Sequence, residues 1–476
     1  MVRHRSARLE TGHRSHACSR PAPLGHGLIV RERDVSDQRD VVIIGAGSSG
    51  LSAAKELQRL GISTTVIEGS HRIGGRAYSE ELVPGTWFDL GCAWLTDGDD
   101  NPFARIADSL GILLGRSTWE AYNNTDNHRF IHNGVRLGRE EHDACRRYYD
   151  ESYEAVAVAA GTDPEPSMSD VIDLESPYAP PFLESVATGW GVDVDGVSCA
   201  DNTTSTGELG YPVPHGYGNL VAAWGADVEV TLNARAERID WSGPGVAVET
   251  PKGTVKADLV LVTVSTGMMA SGEIAFDPLL PDWKLEAIQG LPMGTENKMG
   301  LAFDTDVFGP EGRGHHTVWS DNADSAKVDV NGMGFNSVSV FTGGRHGIWL
   351  EKQGPQACHD FAVDRVAEIF GNDIRKHVVR SITTAWSSEP WTYGSWACAL
   401  PGQAHQREPL GQALDDRMFF AGEATSIGSQ GTCDGAYKSG IRAAEEIAAH
   451  IKGTARDRRP LRTPDPCFSR LHAPRR

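Results

Sequence analysis

The chain has 476 residues, with 45 Lys and Arg against 64 Asp and Glu for a formal charge of −19, and 39% of it is hydrophobic. That length suits two or three folding units with sizeable cores, and an ordinary apolar fraction excludes wholesale disorder. The acidic excess excludes a protein built mainly to grip nucleic acid, and the longest apolar run, Ala257 to Val264, has the length of a strand. A membrane-spanning helix needs roughly 18–20 such residues.

Charge is uneven along the chain. Residues 1–39 carry 8 basic and 4 acidic side chains, residues 452–476 carry 8 and 2, and the stretch between them carries 29 and 58. The first segment lacks the apolar stretch of a secretory leader and is expected to be a disordered basic extension; residues 453–476 are expected to be a disordered basic tail. The eight cysteines form no CxxC pair and no Cys/His ligand spacing, so no metal is expected, and scattered thiols fit a reducing, cytoplasmic location. The histidines at His315, His316 and His346 read as surface or loop residues.

The first chemical signal is the run DVVIIGAGSSGLSAAKELQRLG from Asp40, followed by ISTTVIEGS. It predicts a buried strand (Val41 to Ile44), a tight turn, a helix from Ser49 to Leu60 and a second strand ending at Glu68. Gly45 permits the turn, Gly47 admits a pyrophosphate against the backbone, and Gly50 lets the helix pack closely on the strand. Ser49 opens the helix, whose free N–H groups and dipole favour phosphate. Glu68 is placed to accept hydrogen bonds from both ribose hydroxyls. This pattern alone leaves NAD and FAD open. Downstream, Gly74 and Gly75 offer a second close backbone approach and Arg76 a cation for a diphosphate.

In FDLGCAWLTDGDDNPF the acids Asp97, Asp99 and Asp100 are candidates for a second cationic group of a substrate, but Asp100-Asn101-Pro102 reads better as a helix start. A helix is expected over EEHDACRRYYDESYEAVAVAA. Strands are expected through 228–264 and over VNGMGFNSVSVFTGG and GIWLEKQG. Lys298, in TENKMGL, opens an otherwise apolar strand, where burial without a partner is costly. Met418 to Ala421 is a short apolar strand leading to Gly422 and Glu423.

With VVIIGAGSSG, Glu68, IGGR, the segment running from ADLVLVTV to Lys298, and the closing FFAGEATSIGSQGTCDGAYKSG, the chain resembles the flavin-containing amine oxidase family. It is closest in pattern to polyamine oxidases and the catalytic domains of lysine-specific histone demethylases, and the resemblance runs from Asp40 to Ile451. It implies an α/β, two-domain FAD-binding Rossmann-like fold of the glutathione-reductase type, with a mixed-sheet plus helical substrate domain. The FAD domain would collect 40–90, 214–275 and 397–452, and the substrate domain 91–213 and 276–396.

By that resemblance, Gly422 and Glu423 approach the FAD, Glu423 holding a ribityl or ribose hydroxyl. A helix from about Gly435 to His450 aims its N-terminus at the flavin, and Lys298 holds a water against the reactive flavin nitrogen. Trp386 and Trp396 stand against flavin and amine. Ser395 takes the place of a flavin-attaching cysteine, so the FAD is expected to be noncovalent. Thr432 replaces a second aromatic wall, leaving Trp396 alone to guide the amine. The implied reaction is oxidation of an amine with dioxygen as acceptor, and an acidic body draws cationic amines at low salt. A flavin desaturase acting on a C–C bond and a non-enzymatic FAD-binding scaffold are the alternatives.

Overall fold

Two β-sheets organise the molecule. The computed structural model describes residues 39–116, 128–205, 210–321, 323–330 and 335–457. The basic extension through residue 38 and residues 458–476 lie outside them. Among the described residues no helix is long and apolar enough to cross a membrane.

In the first sheet Arg39–Ile44 pairs in parallel with Gly253–Val262 on one side and Thr64–Ile67 on the other. Val41, Val42 and Ile43 are fully buried, as a strand covered on both faces requires. The path runs Ala275–Asp277, Arg238–Asp240, Val246–Thr250, Gly253–Val262, Arg39–Ile44, Thr64–Ile67, Val230–Thr231, with Met418–Phe420 parallel to the carboxyl half of Gly253–Val262. Four parallel strands therefore deliver Gly45, Glu68, Thr263 and Gly422 to one edge, the edge at which sheets of this kind bind ligands. The helix Ser48–Arg59 returns the chain between the first two strands, beginning one residue earlier than expected. It packs beside Cys433–Asp457, which starts two residues before the expected helix and runs to residue 457, so residues 453–457 are helix and not tail.

The second sheet is mixed, in the order Val378–Thr383, Glu296–Phe303, Ser337–Gly343, Ala323–Val330, Gly314–Ser320, Arg129–His132, Val135–Arg136. Its strands alternate. Met299, Leu301, Val328 and Val340 face a core closed by the helix Pro355–Phe370, through Ala362, Val363 and Val366. The opposite face carries Lys298 directly across from Phe341, and Phe341 directly across from Lys327. The helix Ala179–Trp190 closes on that side: a Cβ on Gly343 would lie 1.8 Å from the Ala187 carbonyl oxygen.

Two expectations are corrected here. GIWLEKQG is not a strand but part of the helix Gly344–Gln353; Gly344, Gly347 and Leu350 are its buried positions, a helical spacing, and the Arg345 amide at its start donates to Asp193. Residues 276–291, assigned to the substrate side, pack with the first sheet. Ala275–Asp277 pairs with Arg238–Asp240, and Leu280, Ala287 and Ile288 join its core.

Arg407 and Asp201 form a buried bidentate pair, with Nε–Oδ1 2.7 Å and Nη2–Oδ2 2.6 Å, that joins the helix Cys199–Thr204 to the segment before Met418–Phe420. Arg407 also donates to the Ala397 and Ala424 carbonyls, and Asp201 accepts the Ala399 amide. Removing one partner strands the other charge in the interior. Asp201→Ala is expected to cost about 3–5 kcal/mol. Denaturant unfolding of the holoprotein checks this; a loss below about 1 kcal/mol would show that solvent reaches Arg407.

Candidate active site

One cavity of about 710 Å³ runs from the carboxyl edge of the first sheet to the polar face of the second. Its first part is the glycine cradle. Gly45 has φ +105°, a conformation that disfavours side chains, and a Cβ on Gly50 would lie 1.9 Å from the Gly45 carbonyl oxygen. Gly50 is thus a packing glycine behind the cavity, while Gly45, Gly47 and Ser49 line it. Gly47 bridges to Gly74, bringing the two glycine turns together. The Ser48 hydroxyl donates to the Cys433 carbonyl at 2.9 Å, and Ser52 donates to the Tyr437 carbonyl at 2.9 Å, which locks two helix N-termini side by side.

Glu68 is buried at the end of its strand. One carboxylate oxygen accepts the Ala46 amide and the other the Ser70 amide, each at 2.8 Å. A carboxylate has about four acceptor positions, so capacity remains for two ribose hydroxyls. The glycine turns, the helix N-terminus and this acid fit a dinucleotide such as FAD.

Arg76 lines the same cavity and donates to Glu423 at 2.7 Å and to the Ser395 carbonyl at 3.0 Å. Glu423 also accepts the Ala397 and Gly431 amides, each at 3.1 Å. Its carboxylate braces the arginine and two chain segments, a role the sequence reading did not contain. Gly422, with φ +136°, lies beside it on the cavity wall. Trp386 is buried with Leu82, Phe88 and Leu90, and its indole N–H donates to the Leu90 carbonyl. Trp396 lies in the strand Trp396–Ala397, with its ring 3.5 Å from where a Cβ on Gly431 would sit. The Thr432 hydroxyl donates to Ser429 and accepts the Gly435 amide, so it caps the helix Cys433–Asp457.

Lys298 is 5% exposed and lines the cavity. Its ammonium donates to the carbonyls of Gly91 and Asp89 and lies 5.4 Å from the Trp94 ring and 5.8 Å from the Phe341 ring. Two of its three donors are used, which leaves one for a water or a ligand. Asp89 is itself buried: its Oδ1 accepts the Ser79 hydroxyl and the Tyr217 amide, while Oδ2 has no partner.

Burial pushes the Asp89 carboxyl up to about 7, outweighing those hydrogen bonds and the nearby Lys298. The unfolded chain releases this proton near 4 and the folded chain near 7, so the group's contribution to stability falls as pH rises through that window. Asp89→Asn is expected to flatten that fall and to match or exceed the parent's Tm at pH 8. Asp89→Leu, which abandons two donors, is expected to be less stable at every pH. Thermal melts from pH 4 to 8 decide it; parallel profiles for parent and Asp89→Asn would contradict the assignment.

Several lining residues were not anticipated. Trp94, Trp190, Phe341 and Trp391 line the cavity together with Trp386 and Trp396. His315, Lys327, Asp329 and Glu296 line the end formed by the second sheet. The expectation that the histidines lie on the surface fails: His315 pairs with Asp329 at 2.6 Å, His316 is 2% exposed, and His346 is half-buried in a helix. Alternation along Gly314–Ser320 sends the two neighbours to opposite faces. Asp97, Asp99 and Asp100 are not in the cavity lining; Asn101 caps the next helix by accepting the Phe103 amide, and Asp99 pairs with Arg116.

Fold and cradle together define a dinucleotide-binding α/β protein whose ligand site opens onto a second, mixed sheet. The chain belongs to the family described as flavin containing amine oxidoreductase, whose profile matches residues 48–146 and 136–448. By that membership it is an FAD-dependent amine oxidoreductase. It is 27% identical over 449 residues to polyamine oxidase 4 of Oryza sativa subsp. japonica, covering 88% of this chain and 91% of that protein. It is 28% identical over 463 residues to lysine-specific histone demethylase 1 homolog 1 of the same plant, covering 87% of this chain and 53% of that protein. Among solved structures, cyclohexylamine oxidase from Brevibacterium oxydans has a TM-score of 0.71 at 20% identity, covering 87% of this chain and all of that one. Putrescine oxidase bound to putrescine has a TM-score of 0.69 at 19% identity, covering 87% and 99%. Those two likenesses share the fold.

Proposed function

We propose that the chain oxidises the carbon–nitrogen bond of a primary or secondary amine against noncovalent FAD, with dioxygen as the final acceptor. The observation that carries this reading is the buried ammonium of Lys298, enclosed by Trp94 and Phe341 in the same cavity as the glycine cradle and Glu68. FAD, when bound, supplies a two-electron acceptor: the amine gives up a hydride from its α-carbon and a proton from nitrogen, the imine is hydrolysed by water, and dioxygen takes the electrons and two protons as hydrogen peroxide.

The chain's own residues do the rest. Gly45, Gly47, Gly74, Gly75 and the N-terminus of Ser48–Arg59 would hold the diphosphate, with Arg76 beside it. Glu68 would hold a ribose. The aromatic walls keep water out and favour the uncharged amine, whose nitrogen lone pair is free. Lys298 keeps one N–H for a water at the reacting end. Ser395 exchanges hydrogen bonds with the backbone of Glu296, accepting its amide and donating to its carbonyl, and carries no thiol, which supports noncovalent attachment. Residues 40–90, 214–275 and 397–452 would form the FAD-binding part and the second sheet the substrate part, with 276–291 joined to the former.

The reading is tested by purifying the protein and noting whether acid precipitation releases a yellow flavin. Spermine, putrescine, an aryl amine and an amino acid are then added without air. Bleaching of the flavin by any of them, with peroxide formed once air is admitted, is the expected result. Bleaching by none would reject amine oxidation and leave the desaturase or the scaffold.

A further inference from the structure

The far end of the cavity is built from the polar face of the second sheet. There, Lys298, Phe341 and Lys327 occupy directly paired positions on three adjacent strands, and Thr317 pairs with Lys327 on a fourth. Neighbouring strands lie about 4.8 Å apart, so the backbones at Lys298 and Lys327 are separated by roughly 10 Å. Both side chains line the cavity, on either side of Phe341.

The acids around Lys327 are already accounted for. Asp329, two residues along the same strand, faces His315 in register and pairs with it at 2.6 Å. Glu184 and Glu296 are groups that burial holds toward the neutral acid, Glu296 at about 7. Among the described residues the Lys327 ammonium forms no hydrogen bond and no ion pair within 4 Å; its interactions with Glu184, Glu296 and Asp329 act at longer range. A half-buried ammonium on a cavity wall without a direct counter-ion is stabilised by an incoming anion and repels a second ammonium.

We propose that Lys327 makes the end of the cavity formed by the second sheet a carboxylate-binding subsite, so that preferred substrates are amines bearing an anionic group a pentyl-like spacer from the reacting nitrogen. This rests on the amine-oxidation reading for its reaction, but the subsite itself is a binding property. A zwitterion of this kind is neutral overall, so the acidic exterior does not repel it. A diamine of equal length brings its second ammonium against Lys327.

The holoenzyme is assayed with 6-aminohexanoate, hexylamine and 1,6-diaminohexane, and titrated with hexanoate, which cannot be oxidised, while the flavin spectrum is followed. The expected order of kcat/KM is the amino acid, then the alkylamine, then the diamine, with about tenfold or more between first and last. In Lys327→Met or Lys327→Gln the ratio of amino acid to alkylamine falls about tenfold, and Lys327→Glu turns the preference toward the diamine; Lys327→Arg retains the parental order. Hexanoate perturbs the flavin spectrum of the parent and not of Lys327→Met. A parent that prefers the diamine, an unchanged ratio in both neutral variants, or no hexanoate binding overturns the subsite. If hexanoate binds through Lys327 but neither these three amines nor spermine, putrescine, an aryl amine or an amino acid reduces the flavin, the subsite stands and amine oxidation falls.

Discussion

Lys298→Met is expected to retain FAD and to lose turnover by roughly 10²–10⁴-fold, the range over which one positioned proton-holding side chain changes a rate. Methionine keeps most of the length and volume of lysine between Trp94 and Phe341, so the walls of the cavity stay in place. It removes the donors that reach the Gly91 and Asp89 carbonyls and the one left over for a ligand. The two carbonyls lose a partner, at a cost of about 1–3 kcal/mol each where they remain dry, so a lower Tm accompanies the kinetic loss. Rapid mixing with amine and, separately, of the reduced enzyme with air shows which half-reaction slows. A variant that turns over at the parental rate would remove Lys298 from the mechanism.

Gly50→Val is expected to yield protein without flavin. The added Cβ would lie 1.9 Å from the carbonyl oxygen of Gly45, in the turn that shapes the cradle, and 3.2 Å from the hydroxyl of Thr263, at the end of the neighbouring strand. Helix and turn cannot both keep their places. Overpacking of this kind costs about 1–3 kcal/mol or more, and here the strain falls on the turn meant to carry the diphosphate. Gly453→Ala is the control, since a Cβ there meets nothing and the helix gains propensity by up to about 1 kcal/mol. The ratio of flavin to protein absorbance after purification measures the outcome; full FAD content in Gly50→Val would show that the cradle tolerates the shift.

What was legible in the sequence is what local backbone demands. Gly45, Gly47, Gly50 and Glu68 stand at fixed spacings because a strand, a turn and a helix must meet there, and those constraints act over about thirty residues. Lys298 was found through the family pattern, and the structure shows how its burial is met, by main-chain carbonyls from the segment 89–91. The second sheet was legible in its strands at Lys298 and at residues 337–343 but not in its pairing. Its register sets residues 298, 341 and 327 side by side and joins His315 to Asp329, and no local signal encodes pairings over such separations. The brace between Arg76 and Glu423 spans 347 positions of sequence, and no local signal encodes it. GIWLEKQG misled because a short apolar run has no clear period until its flanking glycines are seen to start a helix.

In the proposed reaction, hydride leaves the α-carbon of an amine held in this cavity. The most direct test mixes the yellow holoenzyme, without air, with its best amine in ordinary and α-deuterated form and follows the visible flavin band. Bleaching is expected to be several-fold slower with the deuterated amine. A flavin band that persists with every amine, or bleaching at the same rate for both isotopic forms, would contradict that reaction.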